Sequence, residues 1–451
     1  MRALQDPSRL LVIGFAGAMV LGGLVLALPI AHRAAPVSFI DALFTAASAV
    51  CVTGLNVVDT GSRYSGFGQA VILLLIQIGG VGITTLSTGF FLLLRQRVSL
   101  SSIDAVSSSF VSNRKLAYGA LLRRVLAWTM VIETAGAAIL FVEESRRLPL
   151  GDALWYSVFH AISAFCNAGF ALRADNLVGD RDNPMIVLPI ALLIIIGGLG
   201  FSVITEIAAW LRRPPGGRLQ ELSLHSRTAL VVTAILLVSG AIAFAVLERQ
   251  NVLAGAGAGD VVLTSFFASV TARTAGFNTV SYNDLTAATL YVTIALMFVG
   301  GCPGSTAGGI KATTLAVLFA LGRARLRGDT HPRIGNRSIA ADTLNKAMII
   351  LVLAGIVVIV AVIVLAACEV AQERAHNSLQ WSLGLLFEVV SALCTVGLTT
   401  GITPDLNIAG KIVLIVLMFV GRLGPLTLAV AISRRRPRPA IRYAEEPLMV
   451  G

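Results

Sequence analysis

The chain has 451 residues, of which 56% are apolar (AVILMFWYC) and 13% charged, with a mean hydropathy of +0.84. That is membrane composition, and it excludes an assembly of soluble domains. The net charge of +11 could suggest nucleic acid, but its basic residues lie in runs between apolar windows, where membrane topology accounts for them.

The windows have the length that crosses a hydrocarbon core, about 20 residues. They run from Leu10 to Ile30, Ala70 to Leu94, Leu121 to Val142, Met185 to Leu211, Ala229 to Leu247, Leu290 to Leu321, Ala347 to Ala367 and Ile412 to Ile432. No signal-peptide cleavage pattern precedes the first, so eight retained spans are expected, with both termini on one side. Arg95, Arg97, Arg114, Lys115, Arg123, Arg124, Arg212, Arg213, Arg218, Arg323, Arg325, Arg327, Arg333, Arg337 and Arg434 to Arg436 fall on that side. Positive-inside bias makes it cytoplasmic. The opposite loops carry Asp59, Asp175, Asp180, Asp182, Asp284 and Asp405, an acidic mouth that would concentrate cations.

A short motif divides the chain into four units, residues 1–97, 98–213, 214–322 and 323–433, before a basic tail at 434–451. Its copies are Ser48-Ala-Val-Cys-Val-Thr-Gly54, Ser163-Ala-Phe-Cys-Asn-Ala-Gly169, Val270-Thr-Ala-Arg-Thr-Ala-Gly276 and Ser391-Ala-Leu-Cys-Thr-Val-Gly397. Repetition at a near-constant period takes precedence over any single-site reading. In unit one, the segment from Asp41 to Ser48 reads as a half-helix too short to span, capped by Asp41. Unit two repeats it from Asp152 and unit three from Asp260, whereas unit four has no aspartate and leaves Ser378 or Ser382 to cap. A second glycine cluster follows each loop: Gly79-Gly-Val-Gly82, Gly197-Gly-Leu-Gly200, the long run Gly300-Gly-Cys-Pro-Gly-Ser-Thr-Ala-Gly-Gly-Ile-Lys311, and Gly421-Arg-Leu-Gly424. Pro303 and the glycines around it break the third inner span, because a helix interior would lose several kcal/mol to them. Of the cysteines Cys51, Cys166, Cys302, Cys368 and Cys394, three occupy one repeat position and none makes a CxxC pair. Small buried apolar residues are expected there, not zinc or redox ligands.

Irregular backbone is tolerated at membrane depth only where protein or a water-filled cavity satisfies it, so four re-entrant loops need a common centre. Around one axis they would present rings of carbonyl oxygens able to replace the hydration shell of a monovalent cation. Arg422 stands where Gly80, Gly198 and Gly301 stand in the other units. Its insertion costs about 2.5 to 3.5 kcal/mol, and carbonyls of the Gly300 to Gly309 loop, or a carboxylate of Glu133, Glu206 or Glu388, would compensate it. Gly304 to Lys311 is not a phosphate-binding loop, since Ile310 separates the glycine from Lys311 and Ala312 follows. An ion-coupled secondary symporter of another substrate is the alternative, although its inverted repeats would place broken helices in two corresponding positions.

Four such units, the broken third inner span and the lone Arg422 together resemble the Trk/Ktr/HKT superfamily of potassium transporters over residues 9–433, and within it the KtrB branch. The resemblance implies an all-α membrane protein with four pseudo-symmetric outer helix, pore loop and inner helix units around a central pore. It implies K+ uptake across the bacterial cytoplasmic membrane, with no enzymatic chemistry and no covalent cofactor. K+ would be held by carbonyls of Val52, Thr53 and Gly54, Asn167, Ala168 and Gly169, Thr274, Ala275 and Gly276, and Thr395, Val396 and Gly397. Some plant members have Ser at the first filter glycine and select Na+; here it is Gly54. Gly300, Gly301, Pro303, Gly304, Ser305, Thr306, Gly308, Gly309 and Lys311 would form an intramembrane gate that Arg422 helps to close. The partners implied are the lipid bilayer, a second copy in a homodimer and a cytoplasmic nucleotide-binding regulatory ring of the KtrA/TrkA kind, with Na+ as a candidate activating or coupled ion. Arg273 replaces cysteine in the third loop, and either bracing the loop or facing ions would suit it.

Overall fold

The computed structural model describes residues 7–33, 35–80, 118–212, 222–370 and 378–424. Among these the regular elements are helices apart from one hairpin, β1 (Arg333–Ile334) paired antiparallel with β2 (Arg337–Ser338). Each unit runs through a long outer helix, a short helix, a glycine loop and an inner helix. Unit one is α1 (Pro7–Leu26), α2 (Phe39–Cys51) and α3 (Gly66–Gly80), and unit two is α4 (Tyr118–Glu144), α5 (Leu150–Phe165) and the pair α6 (Pro184–Leu199) and α7 (Phe201–Leu211). Unit three is α8 (Leu224–Leu247), α9 (Ala258–Thr271), α10 (Ala287–Phe298) and α11 (Ala312–Arg327). Unit four is α12 (Ala341–Cys368), α13 (Ser378–Leu393) and α14 (Ile408–Leu423).

Arg123–Glu144, Leu224–Leu247 and Ala341–Cys368 are each long and apolar enough to cross a membrane. On α8 the exposed Val231, Ile235, Val238, Ile242 and Val246 follow helical spacing and form a stripe that water would not tolerate but lipid would. The short helices, of 13, 16, 14 and 16 residues, fall below the roughly 20 needed to span. Their inner ends are buried, with Phe44, Phe159, Phe267 and Phe387 fully enclosed. Each inner helix packs on the short helix of the following unit: α3 on α5, α6 on α9, α10 on α13 and α14 on α2. The contacts close on themselves.

Three sequence expectations change. Asp41, Asp152 and Asp260 are not N-caps: α2, α5 and α9 begin after Ser38, Pro149 and Gly257, which places each aspartate third in its helix. A carboxylate there still faces the unpaired amides and the positive end of the helix dipole, which is why the repeat reads like a cap. Asp41 also pairs with Lys411 of α14 at 2.8 Å. The window from Met185 to Leu211 is not one straight helix, because α6 and α7 meet at a bend of 103°. Gly200 makes that bend at φ 88° and ψ 150°, a region essentially restricted to glycine. Gly424, at the same place after Gly421, has φ 82° and ψ 135°. Third, three of the six acidic residues of the outer loops are engaged in local structure. Asp180 is buried and pairs with Arg147 and Arg173, and Asp59 and Asp175 accept backbone amides of Ser62 and Gly179.

The break in the third inner span is as expected, between Phe298 and Ala312. The first and fourth inner spans beyond Gly80 and Gly424, the basic stretch from Ser99 to Lys115, most of the Arg212 to Arg218 link and the tail from Arg434 lie outside the described residues.

A further repeat ties outer to inner helices. Glu248, ending α8, accepts Thr286 N at 2.9 Å, Thr286 Oγ1 at 2.8 Å, Thr289 Oγ1 at 2.5 Å and Asn251 Nδ2 at 2.7 Å. Glu369, ending α12, accepts Asn407 N at 3.0 Å. Thr286 and Asn407 are themselves the N-caps of α10 and α14. In unit two, Glu143 accepts Asn183, the N-cap of α6, at 3.0 Å.

Candidate functional site

Each short helix ends in a loop that turns left-handed at two alternate residues. Val52, Asn167, Thr274 and Thr395 have φ of 56°, 60°, 67° and 49°, and Gly54, Gly169, Gly276 and Gly397 have φ of 94°, 69°, 79° and 90°. For β-branched Val52, Thr274 and Thr395 this conformation is strained by roughly 1 to 3 kcal/mol each. Something must hold it. The middle amides of the loops bond back to the helix ends, Thr53 N to Ser48 O, Ala168 N to Ser163 O and Val396 N to Ser391 O, each at 2.8 Å, and Ala275 N to Thr271 O at 3.0 Å. Hydroxyls of the repeat add a second tie. Ser48 and Ser391 accept the amides of Gly54 and Gly397 at 3.0 and 3.1 Å, while Ser163 and Thr271 donate to Phe170 O and Phe277 O at 2.8 and 2.5 Å.

With the amides turned to the helix ends, the carbonyls are left over. Of those in the tripeptides ending at the four glycines, only Gly169 O receives a hydrogen bond from a described residue, Asn176 Nδ2 at 3.4 Å. The loops also touch in sequence. A Cβ on Gly54 would sit 2.5 Å from Ala168 O, on Gly169 2.8 Å from Ala275 O, on Gly276 2.7 Å from Val396 O, and on Gly397 it would overlap Thr53 O. One glycine per unit faces a carbonyl of the next, and the fourth returns to the first. Buried carbonyls without donors are costly unless water or a cation meets them.

Outside this ring a cavity of about 500 Å³ is lined by Gly54, Gly276 and Gly397 together with Asp59, Asp175 and Arg173. Of the six aspartates expected at the mouth, only Asp59 and Asp175 line it. On the other side lies the loop from Gly300 to Lys311. Thr306 Oγ1 reaches Phe165 O at 3.2 Å and Asn167 Oδ1 at 3.4 Å, and a Cβ on Gly308 would overlap Thr395 Oγ1. The loop is pinned to the bend of unit two through Cys302 N to Gly198 O at 2.9 Å, Thr306 N to Gly197 O at 3.3 Å and Phe201 N to Gly304 O at 3.2 Å. Lys311 Nζ donates to Ala307 O at 2.8 Å, within the loop.

Both unusual arginines meet this region. Arg422 donates to Thr306 O and to Gly79 O, joining unit four to the loop and to the end of α3. Glu133, Glu206 and Glu388 bond elsewhere, to Gln77 at 3.0 Å, to Ser223 and Ser226, and to Thr399, Thr400 and Thr403. Arg273 is buried and donates to Gly300 O at 3.4 Å, which ties the third loop to the start of the Gly300 to Lys311 run. Cys51, Cys166 and Cys394 are buried free thiols.

The sequence reading missed a supporting position nine residues before the filter-type glycine. His160 Nε2 accepts Leu172 N at 3.4 Å in unit two, and Glu388 Oε1 accepts Thr400 N at 3.2 Å in unit four. Both hold the amide three residues past the glycine. Repeat alignment could have exposed the shared spacing, but the unlike residue types hid it.

Residues 13–442 match the family model of TrkH, described as a cation transport protein. The chain belongs to this TrkH cation transport family. It is 36% identical over 450 residues to the potassium/sodium uptake protein NtpJ of Enterococcus hirae, covering 99% of this chain and 97% of that one. It is 35% identical over 445 residues to the Ktr system potassium uptake protein B of Vibrio alginolyticus, covering 98% and 94%. The TrkH fold is also seen in the crystal structure of the potassium transporter TrkH from Vibrio parahaemolyticus, with a TM-score of 0.70 at 20% identity over 95% of this chain and 85% of that one. Membership makes the chain a multi-pass all-α membrane protein of a transporter family.

Proposed function

We propose that the chain takes up K+ across the bacterial cytoplasmic membrane through a pore at the centre of its four units. The single observation behind this reading is the closed ring of loops whose buried carbonyls, Gly169 O apart, receive no hydrogen bond from a described residue. Such a ring substitutes for the hydration shell of a monovalent cation, and the left-handed glycines allow it. The filter is formed by Val52 to Gly54, Asn167 to Gly169, Thr274 to Gly276 and Thr395 to Gly397. The names of the relatives support K+ as the ion, and that of NtpJ supports Na+ as a second, coupled or activating ion. The Gly300 to Lys311 loop lies directly beneath the ring and is the gate, held shut by Arg422. Relatives named as protein B of a Ktr system support a separate partner subunit; we assign that partner as a nucleotide-binding regulatory ring on the cytoplasmic side, and the chain as a homodimer seated on it with both termini cytoplasmic. No covalent chemistry is required of any residue.

Growth of a K+-uptake-deficient bacterium at low K+ tests this. The chain with its partner should restore growth, and Gly276→Ser should weaken rescue and shift preference toward Na+. Failure of the wild type to rescue while present in the membrane counts against K+ uptake, and an unaltered Gly276→Ser counts against the filter.

A further inference from the structure

Beneath the outer surface of unit three, a groove of about 1190 Å³ opens between α7, α8, α11 and the β hairpin. It is larger than the roughly 300 to 1,000 Å³ of a small-molecule pocket. Its walls divide by chemistry. One half is apolar and includes Val231, Ile235 and Phe319, which are 53, 60 and 72% exposed. The other half carries Arg323 at the end of α11 and Arg333 and Arg337 on the hairpin. No described residue forms an ion pair with any of the three. The acidic group in the lining, Glu206, is occupied by Ser223 N at 2.5 Å, Ser223 Oγ at 2.8 Å and Ser226 Oγ.

We propose that this groove seats one anionic phospholipid, with its phosphate on Arg323, Arg333 and Arg337 and an acyl chain along Val231, Ile235 and Phe319. The inference rests on the cytoplasmic placement of this end of the molecule given above. An apolar slot continuous with the lipid-facing stripe of α8 accepts a chain, and an arginine cluster at its cytoplasmic end complements a negative headgroup. A soluble anion would leave the slot empty, and an acyl chain without the phosphate would leave the arginines unmatched. The seat also bears on transport, because α11 continues directly from the Gly300 to Lys311 loop. A lipid bridging α11 and the hairpin would fix the helix on which that loop is anchored.

Native mass spectrometry of the purified full-length chain, with phosphatidylglycerol or phosphatidylcholine added, tests the proposal. One phosphatidylglycerol should be retained per chain, at least tenfold more tightly than phosphatidylcholine. Arg323→Gln with Arg333→Gln and Arg337→Gln should weaken retention by about a hundredfold, the consequence of removing three cationic contacts. The same three positions changed to Lys should stay within a few-fold of wild type, and Ile235→Trp, which fills the slot, should displace the lipid with all arginines present. Equal retention by wild type and the glutamine triple variant would overturn the proposal. So would displacement of the lipid by soluble glycerol phosphate at equal concentration, which would assign the arginines to a free anion. Cross-linking of Ile235→Cys between two copies in phosphatidylglycerol membranes would give the groove to a second chain instead. Loss of K+ flux with lipid retention intact would touch only the transport reading.

Discussion

Val52, Thr274 and Thr395 hold a conformation that β-branched residues avoid, and the hydroxyls behind them help to keep it. Ser391→Ala removes the acceptor of Gly397 N, leaving a buried amide unmade at a cost of about 1 to 3 kcal/mol. The expected outcome is a lower thermal midpoint together with a reduced K+ over Na+ preference in flux assays. The two carboxylates ending the outer helices make opposite cases. Burial alone would raise Glu248, but the bonds from Thr289, Thr286 and Asn251 outweigh it and hold its carboxyl below the usual range. For Glu369 burial dominates, opposed only by Asn407 N and the charge of Lys411, and its carboxyl lies above the usual range. A lowered value means that Glu248 stabilises the fold above the ordinary carboxylate range, and that this is lost as pH falls through its folded value. A raised value means that Glu369 contributes at low pH and loses that contribution as pH rises through its folded value. Glu248→Gln should therefore lower the thermal midpoint at pH 7, by about 1 to 3 kcal/mol of stability, and the deficit should shrink toward acid. Glu369→Gln should leave the midpoint at pH 7 unchanged or raise it.

Among elements, the third inner span and the bend at Gly200 act on one another. The loop between α10 and α11 is stitched to Gly197, Gly198 and Phe201, so it moves only if that bend yields or those bonds break. A Cβ on Gly200 would sit 2.8 Å from Pro303 O, and an alanine would also be strained at positive φ. Gly200→Ala is expected to lower maximal K+ flux several-fold while ion preference stays as in wild type. Arg422→Gln should act the other way. It removes a cationic donor to Thr306 O and Gly79 O, and basal flux without the regulatory partner is expected to rise; an unchanged basal flux in a folded protein would separate Arg422 from gating. The break at Pro303 was legible because proline and clustered glycines oppose a helix outright. The bend at Gly200 was not, since Gly197, Gly198 and Gly200 sit in an otherwise continuous apolar window. Asp41, Asp152 and Asp260 were assigned three positions from their true place for a related reason: the first helical turn favours a carboxylate at N-cap and N3 alike.

At the scale of the molecule, the four-unit order and the meeting of the glycine loops could be read from the chain because repetition carries them. Departures from repetition carried less. That Arg273 turns to Gly300 O, and that Asp180 is neutralised by Arg147 and Arg173, depends on neighbours distant in sequence. Units one to four share the ring, whereas unit three supplies the loop beneath it, and unit four supplies the arginine that bonds to that loop. Under the proposed function, selectivity belongs to the shared geometry and control to the unequal parts. Ion flux into proteoliposomes under matched K+ and Na+ gradients tests the ring most directly, comparing wild type with Gly276→Ser and Gly54→Ser. The expected result is K+ preference in the wild type and a shift toward Na+ in both variants, because each added side chain displaces a neighbouring carbonyl. Absence of K+ flux in the wild type, or an unchanged preference in both folded variants, would contradict it.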